Sequence, residues 1–307
     1  MNRSALSQVL VVAGIACLIA PAVADPARTG IIDTHLHAHA FDPDGLEKVA
    51  RWMDANGVAI GIIHPIHTTL PQIEQERSTT LAHYARFKGR LYHTCIIKPE
   101  EVRSTAEAVE ILERQKKDGA IGFGEHYGKG LMFDDPANMR LYAACEKVGL
   151  PIMFHMDGGQ NKDTPDFQHL AHALGTYPKC IFIAHGPSWW KQFGTGHCDR
   201  IMDRFPNLYA DISAGSGASG MARNKAYTDS FFQKHSKRLL FGTDCGWWTF
   251  DSKTPTKPAP QFALMKSMDL PDAAKADIYR GNAIRLFGFK LPRNPLTVED
   301  GRVRSSK

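Results

Sequence analysis

The sequence predicts a (β/α)8 TIM barrel, a parallel eight-stranded barrel with helices outside. Three observations carry that prediction. Short apolar runs bounded by turn residues alternate with helical segments, the pattern of a parallel sheet. Eight such units occupy most of the chain, at about the length a closed barrel needs. The rival, an open doubly wound sheet, wants a Gly-rich phosphate turn after its first strand. After Ile32 this chain reads Asp33-Thr34-His35-Leu36-His37 instead.

The elements follow in order. Gly30 to His37 is the first strand, and a helix is expected over Gly45 to Ala55. Val58 to His64 leads to a helix over Pro71 to Phe87. Leu91 to Ile97 leads to one over Glu101 to Asp118, where Val102, Ala106, Val109 and Leu112 keep helical spacing. Ala120 to Gly124 precedes a helix at Pro136 to Val148, and Pro151 to Phe154 precedes one at Phe167 to Tyr177. Cys180 to Ala184, Leu208 to Ile212 and Leu239 to Phe241 are the last three strands. Their helices are expected near His197 to Phe205, at Arg223 to His235 and, after a long loop, at Asp272 to Leu286.

Composition narrows the function. With 37 Lys+Arg against 32 Asp+Glu in 307 residues, the basic excess is small and scattered, so nothing points to nucleic acid. The single long apolar run, Val9 to Ala20, is too short to span a bilayer, which excludes a transport channel. Arg3 before it and Ala22-Val23-Ala24 after it read as a secretory signal peptide over residues 1–24. The expectation is a secreted, periplasmic protein, residues 25–307, with no stable membrane insertion after cleavage. Five cysteines follow (Cys95, Cys145, Cys180, Cys198, Cys245) with no C-x-x-C pair; an odd number leaves at least one thiol unpaired.

Polar side chains collect where a barrel builds its active site, at the carboxyl ends of the strands. His35 and His37 end the first strand at i, i+2 spacing, so both rings point to one side. His155 ends the fifth strand, His185 the sixth, and Asp244 follows the eighth in Phe241-Gly242-Thr243-Asp244. Imidazoles and a carboxylate converging on one mouth suit a divalent cation with N and O ligands. Asp33 points to the opposite side of the strand, which assigns it a structural role or one behind the ligands rather than ligation.

The Ile32-Asp33-Thr34-His35-Leu36-His37 opening, the histidines of strands five and six, Gly242-Thr243-Asp244-Cys245-Gly246-Trp247 and the segment Tyr279 to Phe287 together resemble the amidohydrolase superfamily, in its amidohydrolase-related branch. The resemblance spans essentially all of residues 25–307. It implies that His35, His37, His155 and Asp244 hold a metal, usually zinc, one per chain. It implies that His185 contacts bound water or substrate, although other members use that position to hold a second metal. Glu125 in Gly124-Glu125-His126 either bridges two metals, orients a ligand or caps a loop; one metal is the favoured count. Asn282 is expected to pack and cap beneath the barrel.

A zinc-like ion activates water and polarises a carbonyl. Asp244 then serves as proton acceptor and donor, and His185 as hydrogen-bond partner of the developing oxyanion. His64, Lys98, His126, Trp189 and Trp247 are read as substrate-binding, the basic groups (with His67 and Arg223) drawing a carboxylate and the tryptophans shaping the pocket rim. The resulting expectation is a metal-dependent hydrolase of an amide, lactone or ester bond in a small molecule. Non-oxidative decarboxylation of an aromatic or unsaturated acid is the first alternative, and a non-catalytic periplasmic binding protein the second.

Overall fold

The computed structural model describes residues 30–291 apart from 40, 43 and 67, with the backbone of 297–299 and 302–304. The stretch read as a signal peptide and His67 lie outside the described residues.

Eight parallel strands pair strictly in chain order: β1 (Ile31–Leu36), β2 (Val58–Ile63), β3 (Leu91–Cys95), β4 (Ala120–His126), β5 (Ile152–His155), β6 (Phe182–His185), β7 (Leu208–Asp211) and β8 (Leu239–Leu240). The seam between β8 and β1 is closed by backbone bonds from Thr34 N–H to the Phe241 carbonyl (2.9 Å) and from Asp244 N–H to the His35 carbonyl (2.8 Å). The expected barrel is therefore present. A short antiparallel pair, β9 (Thr297–Glu299) and β10 (Arg302–Arg304), follows it.

The helices form the outer shell: α1 (Gly45–Asn56), α2 (Leu70–Gln75), α3 (Arg77–Arg86), α4 (Thr105–Lys117), α5 (Pro136–Val148), α6 (Gln168–Thr176), α7 (Pro187–Lys191), α8 (His197–Arg204), α9 (Ala214–Ala222), α10 (Lys225–His235), α11 (Trp247–Phe250), α12 (Pro260–Ser267), α13 (Asp272–Ala276) and α14 (Asn282–Phe287). Local chemistry sets their ends. For α5, the Asp135 carboxylate accepts from Ala137 N–H, Pro136 occupies the first turn, and Gly149 ends the helix at φ 74°. Three expectations are revised. The helix expected over Pro71 to Phe87 is two helices broken at Glu76. Helix α4 begins only at Thr105, capped by Ser104. The last helix contains a wide turn at Asp277–Gly281 between α13 and α14.

Two apolar layers hold the barrel. The larger lies between strands and helices and includes Trp52, Phe123, Tyr142, Phe182 and Phe232, all fully buried. The smaller fills the barrel interior with Ile32, Ile60, Ile62, Met153, Ile183 and Leu240. Ala283 and Phe289 join that inner layer, and the Asn282 amide donates to the carbonyls of Ser236 (2.7 Å) and Leu239 (2.6 Å). The end where the strands begin is thus filled with apolar side chains, and the polar groups are left at the end where the strands finish.

The five cysteines are all buried and unpaired. Among the described residues no helix is long and apolar enough to cross a membrane.

Candidate metal centre

Alternation along β1 turns His35 and His37 to the same side, and their Nε2 atoms stand 3.1 Å apart. Each ring is held from behind. His35 Nδ1 donates to the Asp211 carboxylate (2.8 Å), and His37 Nδ1 donates to the His64 carbonyl (2.9 Å). In the neutral tautomer those bonds define, both Nε2 lone pairs face forward. Two carboxylates face them: Glu125 Oε2 at 3.5 and 3.4 Å, and Asp244 Oδ1 at 3.7 and 3.0 Å, from His35 and His37 respectively.

Two ring nitrogens and two carboxylates converging on one point call for positive charge, which a proton on an imidazole or a cation between them would supply. Burial disfavours charge on His35, yet Asp211 and Glu125 outweigh it and hold the ring well above the ordinary histidine range. Glu125 is held well below the carboxylate range: burial opposes its ionisation, and His35, His155 and His185 overcome that opposition. The set of two imidazoles and two carboxylates fits a divalent cation with N and O ligands.

Glu125 serves a second group as well. Its Oε1 accepts from His155 Nδ1 (2.7 Å) and lies 3.5 Å from His185 Nε2, while its Oε2 accepts from the Tyr127 hydroxyl (2.9 Å). Ligand atoms of His35, His37 and Glu125 lie within 4.8 Å of one another, and so do those of Glu125, His155 and His185. The structure therefore places His155 with Glu125 and His185, and the Nε2 of His155 turns to Asp157 Oδ2 (3.1 Å). Tyr127 stacks on the His155 ring at 4.8 Å. Burial and the neighbouring His35 push His185 down to about 4, so its ring is neutral.

Asp244 is the carboxylate open to the outside. Its side chain is 24% exposed where that of Glu125 is 1% exposed. It sits in the left-handed region, φ 60°, which turns the carboxylate back over the barrel axis. Burial works against its charge, but the bond to His37 and the nearby His35 hold it below the usual range. A cavity of about 620 Å³ opens from Asp244, with Trp248, Phe262 and Lys257 in its wall. Trp248 also leans over His37, with ring centroids 5.6 Å apart.

Other residues singled out from sequence lie elsewhere. His126, adjacent to Glu125 on β4, faces the opposite side. Its Nε2 bonds the Asn138 Oδ1 (3.1 Å) and its ring packs on Phe123 and Tyr142 in the outer core. The register of β4 against β5 shifts between Phe123 and His126, at Gly124 (φ 119°), so Glu125 turns inward while His126 joins Phe123 on the outer face. Trp189 is fully buried against Phe167, because α7 folds back into the shell rather than forming an exposed rim loop. His64 is buried beneath the site, between the Thr34 carbonyl (2.8 Å) and the Thr94 hydroxyl (3.2 Å), and burial pushes it down to about 3. Lys98 opens the turn Pro99–Glu101, where its backbone N–H donates to Glu101 (2.8 Å). The Arg223 guanidinium donates to the Trp190 carbonyl (2.8 Å). Trp247 stands at the rim, stacked on His39 at 4.5 Å.

Asp33 has the structural place expected of it. It accepts from the Thr243 hydroxyl (2.7 Å) and from the N–H groups of Thr243 and His35 (3.1 Å each), tying β1 to the segment after β8. Two supporting residues were not singled out from the sequence, Asp211 and Ser213. Asp211 ends β7, and that position, matching the other strand-end residues, is the signal that points to it. Ser213 Oγ stands 2.8 Å from His185 Nδ1 and 3.2 Å from His35 Nδ1.

Asp199, Asp203 and His235 also converge, on the outer helices, but there the Lys234 ammonium occupies both carboxylates (3.0 and 2.6 Å).

The amidohydrolase family model matches residues 32–289. None of the curated sequences compared matches the chain. Among solved structures, the chain is similar to an amidohydrolase from Burkholderia multivorans with bound zinc, at 14% identity and TM-score 0.57, over 86% of this chain and all of that one. It is also similar to a 5-carboxyvanillate decarboxylase from Novosphingobium aromaticivorans complexed with manganese and a nitrobenzoic acid (12% identity, TM-score 0.53, 86% and 97% covered). A third is a uronate isomerase from Bacillus halodurans (12% identity, TM-score 0.55, 80% and 69% covered). At such identities these likenesses concern the fold.

Proposed function

The chain belongs to the amidohydrolase family, and from that premise we propose that it is a divalent-metal-dependent hydrolase acting on an amide, lactone or ester bond of a small molecule. The observation that carries this reading is the convergence of two imidazole Nε2 atoms and two carboxylates on one point. His35, His37, Glu125 and Asp244 would hold the cation, and Glu125, His155 and His185 offer a second position that shares the Glu125 carboxylate. Zinc is the ion we propose for the first position. A bound cation supplies Lewis acidity toward the scissile carbonyl and makes water a better nucleophile near neutral pH.

The chain's own residues do the rest. Asp244, ionised and open to the 620 Å³ cavity, accepts a proton from water and returns it to the leaving group. His185, held neutral, offers Nε2 at the far side of Glu125 as a hydrogen-bond partner for the polarised oxygen. Asp211 and Ser213 keep the His35 and His185 rings in one orientation. Trp248 and Phe262 give the substrate an apolar wall.

Decarboxylation is the second reading, favoured by one observation: Lys257 lines the same cavity as Asp244, a cation placed to meet a carboxylate. Elemental analysis of the purified protein, with turnover of lactones, esters, amides and aromatic acids before and after chelation, separates these. Hydrolysis lost on chelation and restored by zinc supports the first reading. Carbon dioxide release from an aromatic acid, without hydrolysis, replaces it with the second. Metal-independent turnover rejects both. We also propose that residues 1–24 direct export to the periplasm; the intact mass of the secreted protein, starting at Asp25, tests this.

A further inference from the structure

A second cavity, of about 110 Å³, lies between strands β2–β3 and helices α2, α3 and α4. Ile63, Ile66, Ile73, Leu81, Tyr84 and Cys95 make most of its wall. The stacked pair His39 and Trp247 also lines it, and Trp247 stands 6.5 Å from the His37 ring, so the cavity adjoins the rim of the barrel mouth.

One residue in this wall is out of place for packing alone. The inward stripe of α4 runs Ala108, Leu112, Gln115, the i, i+4, i+7 positions at which a core-facing helix is apolar. Gln115 is 6% exposed, and neither its Nε2 nor its Oε1 has a hydrogen-bond partner among the described residues. Several other polar groups of the wall have partners. Arg77 and Asp118 form a two-pronged ion pair, and His93 Nδ1 bonds the Thr94 carbonyl. A buried amide with both ends unpaired is costly and calls for a partner. The Gln115 amide presents a donor and an acceptor side by side. Its complement is a group offering an N–H and a C=O side by side, and the apolar wall with its neutralised ion pair favours an uncharged one.

We propose that this cavity is a binding subsite for an uncharged apolar group bearing a lactam or small carboxamide, paired through both hydrogen bonds to Gln115. The subsite does not depend on which reaction the metal centre performs.

The test is titration of the purified full-length protein with δ-valerolactam, followed by calorimetry or ligand-observed NMR, in the wild type and in Gln115→Leu. The lactam is expected to bind saturably, with affinity at least about tenfold weaker in Gln115→Leu and in the N-methyl lactam, which has no N–H. Without ligand, Gln115→Leu should melt at or above the wild-type temperature, since it removes two unpaired polar atoms. Leu81→Trp, which fills the cavity, should abolish binding while leaving metal content unchanged. Binding should persist in chelated protein, which keeps failure here distinct from failure of the hydrolase reading. The proposal is overturned by absence of lactam binding at tens of millimolar, by equal binding to Gln115→Leu, or by a clear fall in its melting temperature. That last outcome would mean that a fixed water already satisfies the amide.

Discussion

Replacing Asp211 by Asn removes one charge from behind the centre and leaves the shape. The Asp211 carboxylate is fully buried, 2.8 Å from His35 Nδ1, and its other oxygen accepts from Ser213 N–H (2.6 Å). Across the imidazole, its charge lies roughly 5 Å from the Nε2 lone pair; at an effective dielectric constant of about 20 this is worth about 3 kcal/mol. An Asn carbonyl keeps part of the Nδ1–H bond, so the loss should fall below that ceiling. Substitutions that remove such supporting partners typically weaken metal binding 10- to 100-fold, or about 1.4 to 2.7 kcal/mol. We expect Asp211→Asn to stay folded and to bind zinc within that range of weakening, measured by competition with a chelator of known affinity. Affinity within twofold of wild type would refute the idea that Asp211 sets the basicity of His35. A loss far beyond 100-fold would make Asp211 a direct ligand, a role its proximity to His35 and His185 also permits.

Three further outcomes are expected. Asp244→Asn should keep the fold and lower turnover by about 10² to 10⁴ in single-turnover assays, the usual worth of a proton-transfer group; unchanged turnover in metal-loaded protein would remove Asp244 from the chemistry. Burial holds His126 down at about 4 against the opposing bond to Asn138, so between pH 6.5 and 4 the unfolded chain binds a proton that the folded chain refuses. Its contribution to stability is therefore present above pH 6.5 and lost on acidification, by up to about 3 kcal/mol at pH 4. Urea titrations across that range should show a shallower acid loss in His126→Gln than in wild type. Gly217→Val should destabilise the protein by about 1 to 3 kcal/mol, because a Cβ there meets Trp190 Nε1 at 3.0 Å and the Ile212 carbonyl at 3.1 Å; an unchanged urea midpoint would contradict that packing.

Much of the fold is legible in the sequence because the strands are short apolar runs punctuated by turn residues. The segment Ala214 to Gly220 is less transparent. It reads as a small-residue, low-complexity stretch, yet it lies in helix α9, whose Gly217 and Gly220 make room for Trp190. The same contact explains why Trp189-Trp190 is buried and not displayed at the rim. Neither half of that fit is interpretable without the other. The helix α12 is hidden in the same way, behind a loop rich in proline and lysine.

The strand-end histidines and Asp244 could be chosen from sequence because alternation and strand position decide, locally, which side chains face the barrel axis. Alternation alone would put Glu125 on the outer face with Phe123; the register shift at Gly124 turns it inward and leaves His126 outside. The tertiary structure decided the grouping. Glu125 stands between two sets of imidazoles, His155 turns toward Asp157, and Asp211 and Ser213 support the rings from behind. Those relations join residues up to 178 positions apart. Local periodicity carries the fold class and the list of candidate side chains; only barrel closure, which sets the distances between strand ends, determines which lone pairs meet.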